Sequence, residues 1–207
     1  MKMQKKLKYL LCLFSLFFFA CSSEKQELEK REQILYTAMP KKEYHLIPNH
    51  YEKNDRALIT QLWEGLTELK DGGVRFIEVT DIQHSQDFLT WTFHLRDDLT
   101  WSNGEKITAE SYRKSWLDSL KNSPMIEEKY RMFVVKNAEK FSENKVSEKE
   151  VGIQVKDNVL EVTLNTPIPN FDEWVSNPIF YPLHPKNETL KEEDKIVNAA
   201  FKIASFQ

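Results

Sequence analysis

The clearest periodic pattern along the chain is a two-residue alternation in the middle of the sequence. Polar and apolar residues alternate strictly here: Thr90, Trp91, Thr92, Phe93, His94 and Leu95. This period predicts a strand with one face buried. A hairpin is predicted further along, because the apolar positions of residues 151–155 match those of residues 160–164 across a turn at Asp157 and Asn158.

Helical spacing follows the first strand. A tight turn at residues 102–104 precedes Thr108, which caps a predicted helix whose buried face carries Tyr112, Trp116 and Leu120. An earlier helix is predicted over residues 56–66, capped by Asp55 and repeating leucine every fourth position. Gly65 and the pair Gly72 and Gly73 are predicted to terminate it. Short strands are predicted at residues 34–39 and 200–206, and a short helix at residues 171–177.

The N-terminus has the pattern of an export signal. Four lysines within residues 1–8 precede an apolar run over residues 9–20, which is shorter than the ~20 residues a membrane span needs. The sequence Phe-Phe-Ala-Cys that ends at Cys21 resembles a bacterial lipobox, with Phe18 in place of the usual leucine. We expect residues 1–20 to be a lipoprotein signal peptide and Cys21 to be lipidated; an uncleaved N-terminal anchor is the alternative.

Charge and cysteine content exclude several functions. Removal of residues 1–20 lowers the formal net charge from −3 to −7, which makes a nucleic-acid partner a poor match. Cys21 is then the single remaining cysteine, so no intrachain disulfide and no thiolate metal cluster is expected. The five histidines show no metal-ligand spacing, and no nucleophile motif is present. We therefore expect neither a cofactor nor an enzyme.

Three linked motifs carry a resemblance to a known family. They are WTFHLR at 91–96, WSNG at 101–104 and TAESY at 108–112, and LWEGL at 62–66 precedes them. Together they resemble the signature of solute-binding protein family 5, the periplasmic oligopeptide-binding proteins of ABC transporters. The hairpin at residues 151–171 and IFYPLHP at 179–185 resemble the family's sequence in the same order.

The resemblance implies a mixed α/β fold of the type II periplasmic-binding-protein kind. Its members are two-lobed clamps that enclose a peptide between domains I and III. We expect the chain to be truncated and to lack domain III. The expected parts are a signal peptide (1–20), a flexible tether (21–33), the first segment of domain I (34–60), a domain II-like α+β insertion (61–185), and a linker with a return strand into domain I (186–207).

The resemblance also implies candidate ligand-binding residues. Tyr51 and Glu52 fall in the loop that approaches the ligand from domain I. Tyr130 aligns with a family tyrosine near the cleft, although it first of all fits an apolar, core-facing stripe on a helix over residues 126–141. At residues 197–201 the family has a glycine-rich turn, so alanine is expected to be strained there if the turn needs a positive φ.

Two functions remain open. The first is a lipid-anchored, substrate-binding component of a peptide ABC importer, facing the periplasm or outer surface, whose partners are short peptides, the permease subunits and the membrane. The second is a small surface lipoprotein that acts as a protein-interaction module without peptide transport. Ligand binding distinguishes the two.

Overall fold

The computed structural model describes residues 43–205. The predicted signal peptide, Cys21, the tether and the strand at residues 34–39 lie outside the described residues. No helix in residues 43–205 is long and apolar enough to cross a membrane.

A four-stranded antiparallel sheet forms the centre of the described part. Its strands, in spatial order, are β3 (Val79–His84), β4 (Thr90–Leu95), β6 (Val159–Thr163) and β5 (Ile153–Lys156). The register pairs Phe93 with Leu160, and Leu160 with Val155. The predicted alternation in β4 is confirmed, because Trp91, Phe93 and Leu95 are buried.

The predicted hairpin β5–β6 is also confirmed. Asp157 adopts a left-handed φ of 55° at the turn, and Ile153 pairs with Val162 as the sequence pattern predicts. Full burial of such a side chain stabilises the fold by roughly 2 kcal/mol, so the apolar face of this hairpin fixes its register.

The central helix covers one face of the sheet. Helix α2 (Ala109–Asn122) lies against β5 and β6, and Tyr112, Trp116 and Leu120 are completely buried, as predicted. Thr108 caps the helix, where its amide donates to Ser111 Oγ at 3.1 Å. Because the whole cap lies within four residues, it could be predicted from the sequence.

A second, two-stranded sheet was not predicted. It consists of β1 (Thr67–Lys70) and β2 (Gly73–Phe76), joined by a turn in which Asp71 and Gly72 have φ angles of 53° and 79°. The sequence pattern predicts the end of a helix at Gly72 and Gly73. Asp71 and Gly72 form a hairpin turn instead, because two consecutive positive φ angles suit this type of turn, and Gly73 begins β2.

The predicted helix over residues 126–141 is wrong. Two short helices, α3 (Ile126–Met132) and α4 (Ala138–Ser142), replace it. Between them Val135 forms a bridge to Leu164, and Asn137 has a φ of 60°. This backbone pairing outweighs the continuous helical spacing.

Other boundaries also differ. Helix α1 (Arg56–Leu62) ends four residues early, and Asp55 lies at its N-cap without a capping hydrogen bond from its side chain. Helix α5 (Phe171–Trp174) is shorter than predicted, and residues 201–205 have no regular structure where a strand was predicted. Short 3-10 turns complete the described part: Lys53–Asp55, Glu148–Glu150, Pro178–Phe180, Pro185–Glu188 and Glu192–Asp194.

Two segments far apart in sequence pair where the chain enters and leaves the sheet region. Residues 62–66 begin at the last residue of α1, and residues 196–199 return beside them. The side chain of Asn198 donates to the Glu64 carbonyl at 2.9 Å and accepts from the Glu64 amide at 3.2 Å. We call this pair of segments the neck.

The expected alanine strain is absent from the neck. Among the described residues, the non-glycine positions with positive φ do not include Ala199 or Ala200. Asn198 also has no positive φ, and its side chain holds this segment in place.

Candidate ligand-binding surface

The loop of residues 44–52 is held in place by distant parts of the chain. The Leu46 amide donates to Glu192 Oε2 at 2.9 Å. Ser123 Oγ donates to the Asn49 carbonyl at 2.6 Å. Because most of the loop is buried or half-buried, these bonds satisfy polar groups that water reaches poorly.

Tyr51 lies in this loop and is buried. Its amide donates to Met125 Sδ at 3.4 Å, directly before α3. Burial raises the pKa of the Tyr51 phenol, while the nearby Arg56 guanidinium opposes the rise. The phenol therefore stays neutral at physiological pH and keeps a hydrogen-bonding hydroxyl next to Arg56.

Glu52 is exposed and leads into the 3-10 turn Lys53–Asp55. Lys53 Nζ lies 2.5 Å from Glu127 Oε2 on α3. An exposed ion pair contributes little stability, but this one joins the turn that follows Glu52 to α3. The structure thus places Tyr51 and Glu52 beside the start of α3.

Tyr130 is on α3 itself and points away from the core. Its side chain is 60% exposed, and its ring packs at 5.3 Å from the ring of Phe133. The interpretation of Tyr130 as a core residue is therefore wrong. Its alternative role as a ligand-facing residue stays a prediction.

The structure also brings together residues that the sequence analysis missed. Arg56 and Arg131 both line a shallow depression of about 300 Å³. The other lining residues are Leu69, Asn170, Glu173, Trp174, Ser176 and Asn177. We call this depression the arginine surface. It adjoins Tyr51, since the charges of Arg56 and Arg131 both act on the Tyr51 phenol.

Part of the arginine surface is fixed by hydrogen bonds. Arg131 Nε donates to Glu128 Oε2 at 2.8 Å, and Asn177 Nδ2 donates to the same oxygen at 3.0 Å. A guanidinium presents five N–H donors in a planar fork, so Arg131 retains donors beyond the one used here. Such donors suit carboxylates and peptide carbonyls, and Trp174 adds apolar area.

Sequence patterns carry almost no signal for this surface. Arg56, Arg131 and Trp174 are separated by dozens of residues, and each alone fits an ordinary exposed position. The spacing of Glu128 and Arg131 is that of a helical ion pair. That local pairing does not reveal that Arg56 faces the same depression.

Metal chemistry finds no support in the described part. Among residues 43–205 no group of three or more potential ligand side chains is arranged to hold a metal ion. His94 lies on the sheet face opposite Trp91 and Phe93, as its place in the alternation predicts. Cys21, the predicted lipidation site, lies outside the described residues.

The chain matches a known protein family over most of its length. Residues 58–207 match the family described as "Bacterial extracellular solute-binding proteins, family 5 Middle". The chain therefore belongs to solute-binding protein family 5, and the resemblance carried by the sequence motifs is confirmed.

Curated relatives agree with this assignment. The chain is 34% identical over 140 residues to "Oligopeptide-binding protein OppA" of Bacillus subtilis, covering 67% of this chain and 25% of the relative. It is 29% identical over 182 residues to "Dipeptide-binding protein" of Lactococcus lactis, covering 87% of this chain and 32% of the relative. These relatives are binding proteins, which confirms that the family is not one of enzymes.

Solved structures give the same fold. A periplasmic oligopeptide-binding protein of Borrelia burgdorferi matches with a TM-score of 0.69 at 30% identity, covering 76% of this chain and 34% of that one. Haemophilus influenzae OppA in complex with RPPGFSPFR matches with a TM-score of 0.70 at 27% identity, covering 78% and 34%. The predicted type II periplasmic-binding-protein fold is confirmed. The chain spans about a quarter to a third of the length of these relatives.

Proposed function

We propose that this chain is a peptide-binding component of an ABC importer. The observation that carries the proposal is the likeness to Haemophilus influenzae OppA, whose structure was determined in complex with the peptide RPPGFSPFR. The arginine surface supports it further, because Arg56 and Arg131 offer donors for peptide carbonyls and carboxylates next to Tyr51. Peptides and the permease subunits are then its partners.

The neck supports the proposed division into domains. An inserted domain needs its incoming and outgoing segments side by side, and residues 62–66 and 196–199 meet this requirement. Residues 61–185 then form domain II, while residues 34–60 and 186–207 belong to domain I. In this arrangement Tyr51 and Glu52 face the ligand from domain I.

We also propose that Cys21 carries a lipid that anchors the protein in the cell envelope, facing the periplasm or outer surface. The apolar run before Cys21 and the polar tether after it support this. Metabolic labelling with a fatty-acid analogue tests the proposal. We expect a labelled wild-type chain and an unlabelled Cys21→Ser variant; equal labelling of both would contradict it.

Thermal unfolding of residues 22–207 tests peptide binding directly. The melting temperature is measured alone, with RPPGFSPFR, and with a pool of short peptides. A ligand at 100 times its Kd stabilises the native state by about 2.7 kcal/mol, so a clear upward shift is expected. Free amino acids at equal concentration serve as the control.

Variants locate the binding site. Glu52→Gln and Arg131→Gln should reduce the shift, whereas Glu161→Gln, an exposed change on the sheet, should not. A cooperative melt that no peptide changes would contradict peptide binding.

That last outcome would favour the second candidate function, a surface protein-interaction module. Leu69 and Phe76 support it, because both lie on the β1–β2 hairpin and are 54% and 46% exposed. Ile126 and Tyr130 add two further exposed apolar side chains. Large exposed apolar side chains in proximity are typical of protein-binding surfaces.

A further inference from the structure

A carboxylate is buried against the neck, which is an unusual position for an ionisable group. Glu78 is 2% exposed, and it immediately precedes β3. Its Oε1 accepts a hydrogen bond from Asn198 Nδ2 at 2.8 Å, and its Oε2 accepts one from the Tyr112 hydroxyl. The carboxylate therefore links α2 to the returning segment.

Asn198 connects this carboxylate to both segments of the neck. Its Nδ2 donates to Glu78 and to the Glu64 carbonyl, while its Oδ1 accepts from the Glu64 amide. Beside it the Ala199 amide donates to the Leu62 carbonyl at 3.2 Å. Movement of residues 196–199 away from the domain would break all these bonds and remove a group that covers Glu78.

A second asparagine, Asn187, also holds residues 196–199, but through bonds to the backbone and not through Glu78. Asn187 is completely buried; its Nδ2 donates to the Ile196 carbonyl and its Oδ1 accepts from the Ile196 amide, both at 2.8 Å. The Val197 carbonyl accepts from the Ser102 amide at 2.7 Å. Because these bonds are between neutral groups, they supply a pH-independent part of the attachment.

Charged and titratable groups from three parts of the chain lie near Glu78. Glu64 lies on the entering segment, Arg96 follows β4, and Tyr112 lies on α2. Burial raises the pKa of Glu78 from 4.5 to about 7, and the hydrogen bonds from Tyr112 and Asn198 only partly oppose it. Glu64 adds to the rise through its charge, while Arg96 opposes it. Tyr181 faces Tyr112 and stays neutral, because burial raises its own pKa to about 12.

We propose that Glu78 and Asn198 form a proton-linked latch, which holds residues 196–199 on the domain at acidic pH and releases them more readily as the pH rises. In the closed neck the carboxyl group is enclosed and keeps its proton up to about pH 7. In the open neck we expect the carboxyl group to reach water, where its pKa returns toward the ordinary glutamate value of 4.5. The closed state therefore holds more protons between these values, and rising pH favours opening.

Linkage sets the size and the limits of the effect. Between pH 4.5 and about 7, the equilibrium constant for opening rises by at most about tenfold per pH unit. Above the upper value the carboxyl group is ionised in both states, so the effect levels off. From pH 5 to pH 8 the total increase is at most about 70-fold.

Hydrogen exchange followed by NMR on the full chain tests the latch. After correction for the intrinsic exchange rate at each pH, we expect the opening constant of the Val197 and Ala199 amides to rise at least tenfold, and at most about 70-fold, between pH 5 and pH 8. The exposed Asn144 amide, which donates to the Phe141 carbonyl just after α4, exchanges by local fraying; it serves as an internal control and should not follow this trend. An unchanged opening constant at Val197 and Ala199 would overturn the proposal.

Two variants sharpen the test. Glu78→Gln keeps the size of the side chain but cannot ionise, so opening should become independent of pH. Glu161→Gln, a change of the same kind at an exposed position, should keep the wild-type dependence. A Glu78→Gln variant that retains the full pH dependence would also overturn the proposal.

A direct titration covers the case in which Glu78→Gln does not fold. The carboxyl carbon of Glu78 in the unaltered chain is followed by NMR from pH 4 to pH 9. A midpoint near 7 supports the latch, and a midpoint near 4.5 overturns it.

Discussion

Gly65 allows a sharp test of how tightly the neck is packed. It is buried between α1 and β1, and its φ is not positive. A Cβ atom at this position would lie 2.3 Å from Cδ1 and 2.5 Å from Cε1 of Tyr181. Both distances are far below van der Waals contact, so Gly65→Ala forces the Tyr181 ring to move.

The ring has little room to move. Tyr181 is 6% exposed, and its hydroxyl donates to the Ser176 carbonyl at 3.1 Å. Overpacking costs about 1–3 kcal/mol, and loss of the hydrogen bond costs about 1 kcal/mol. We therefore expect Gly65→Ala to lower the free energy of unfolding by ~2–4 kcal/mol, and the melting temperature by roughly 10 °C.

Urea denaturation of the single and double variants isolates the clash. Once Tyr181→Ala has removed the ring, adding Gly65→Ala should cost close to nothing, because alanine also lowers the entropy of the unfolded chain. Gly73→Ala is the matched control: its nearest neighbour, the Lys70 carbonyl oxygen, is 4.0 Å away. The reasoning is refuted if Gly65→Ala and Gly73→Ala differ by less than about 0.5 kcal/mol, or if the cost persists without the Tyr181 ring.

Three further predictions concern stability. Because the pKa of Glu78 is raised on folding, its contribution to stability is fully present below pH 4.5 and is lost as the pH rises through about 7. In urea titrations, the unfolding free energy of wild type relative to Glu78→Gln should therefore fall by up to ~3 kcal/mol between pH 4.5 and pH 8. A difference that stays constant with pH would contradict this. Trp116→Phe removes the indole N–H that donates to the Phe180 carbonyl at 2.6 Å, so chemical denaturation should show a loss of ~2–3 kcal/mol; a loss below about 0.5 kcal/mol would speak against the bond. Gly104→Ala places a side chain at a φ of +85° with open space around it, so a melt should reveal a smaller loss of ~1 kcal/mol, and no loss would show that the turn relaxes.

Local patterns predicted the elements that local chemistry specifies. Strand β4, the turn at residues 102–104, helix α2 and the β5–β6 hairpin all form from contiguous residues whose period, cap or turn is visible in the sequence. The prediction of one helix over residues 126–141 was wrong because Val135 pairs with Leu164, a contact between residues far apart in the chain. Strands β1 and β2 were not predicted, because the glycines at their turn were interpreted as the end of a helix.

The candidate site depended even more on distant contacts. The family resemblance indicated Tyr51 and Glu52 from one short loop, but Arg56 and Arg131 meet only after the chain has folded. Glu78 and Asn198 are 120 positions apart, and no local pattern joins them. The sequence therefore predicts the framework of the domain better than the surfaces that assembly of its parts creates.

Asn187 and Asn198 have a consequence for how this protein can change during evolution. Each asparagine presents its amide to the backbone N–H and C=O of one residue, Ile196 and Glu64 respectively. Hydrogen bonds to backbone groups do not depend on the side chain of the residue that supplies them. Positions 64 and 196 should therefore tolerate more substitutions than the two asparagines. Even Asn→Asp would replace a donor with a charged acceptor facing a carbonyl. In a deep mutational scan, Asn187 and Asn198 should tolerate fewer substitutions than positions 64 and 196.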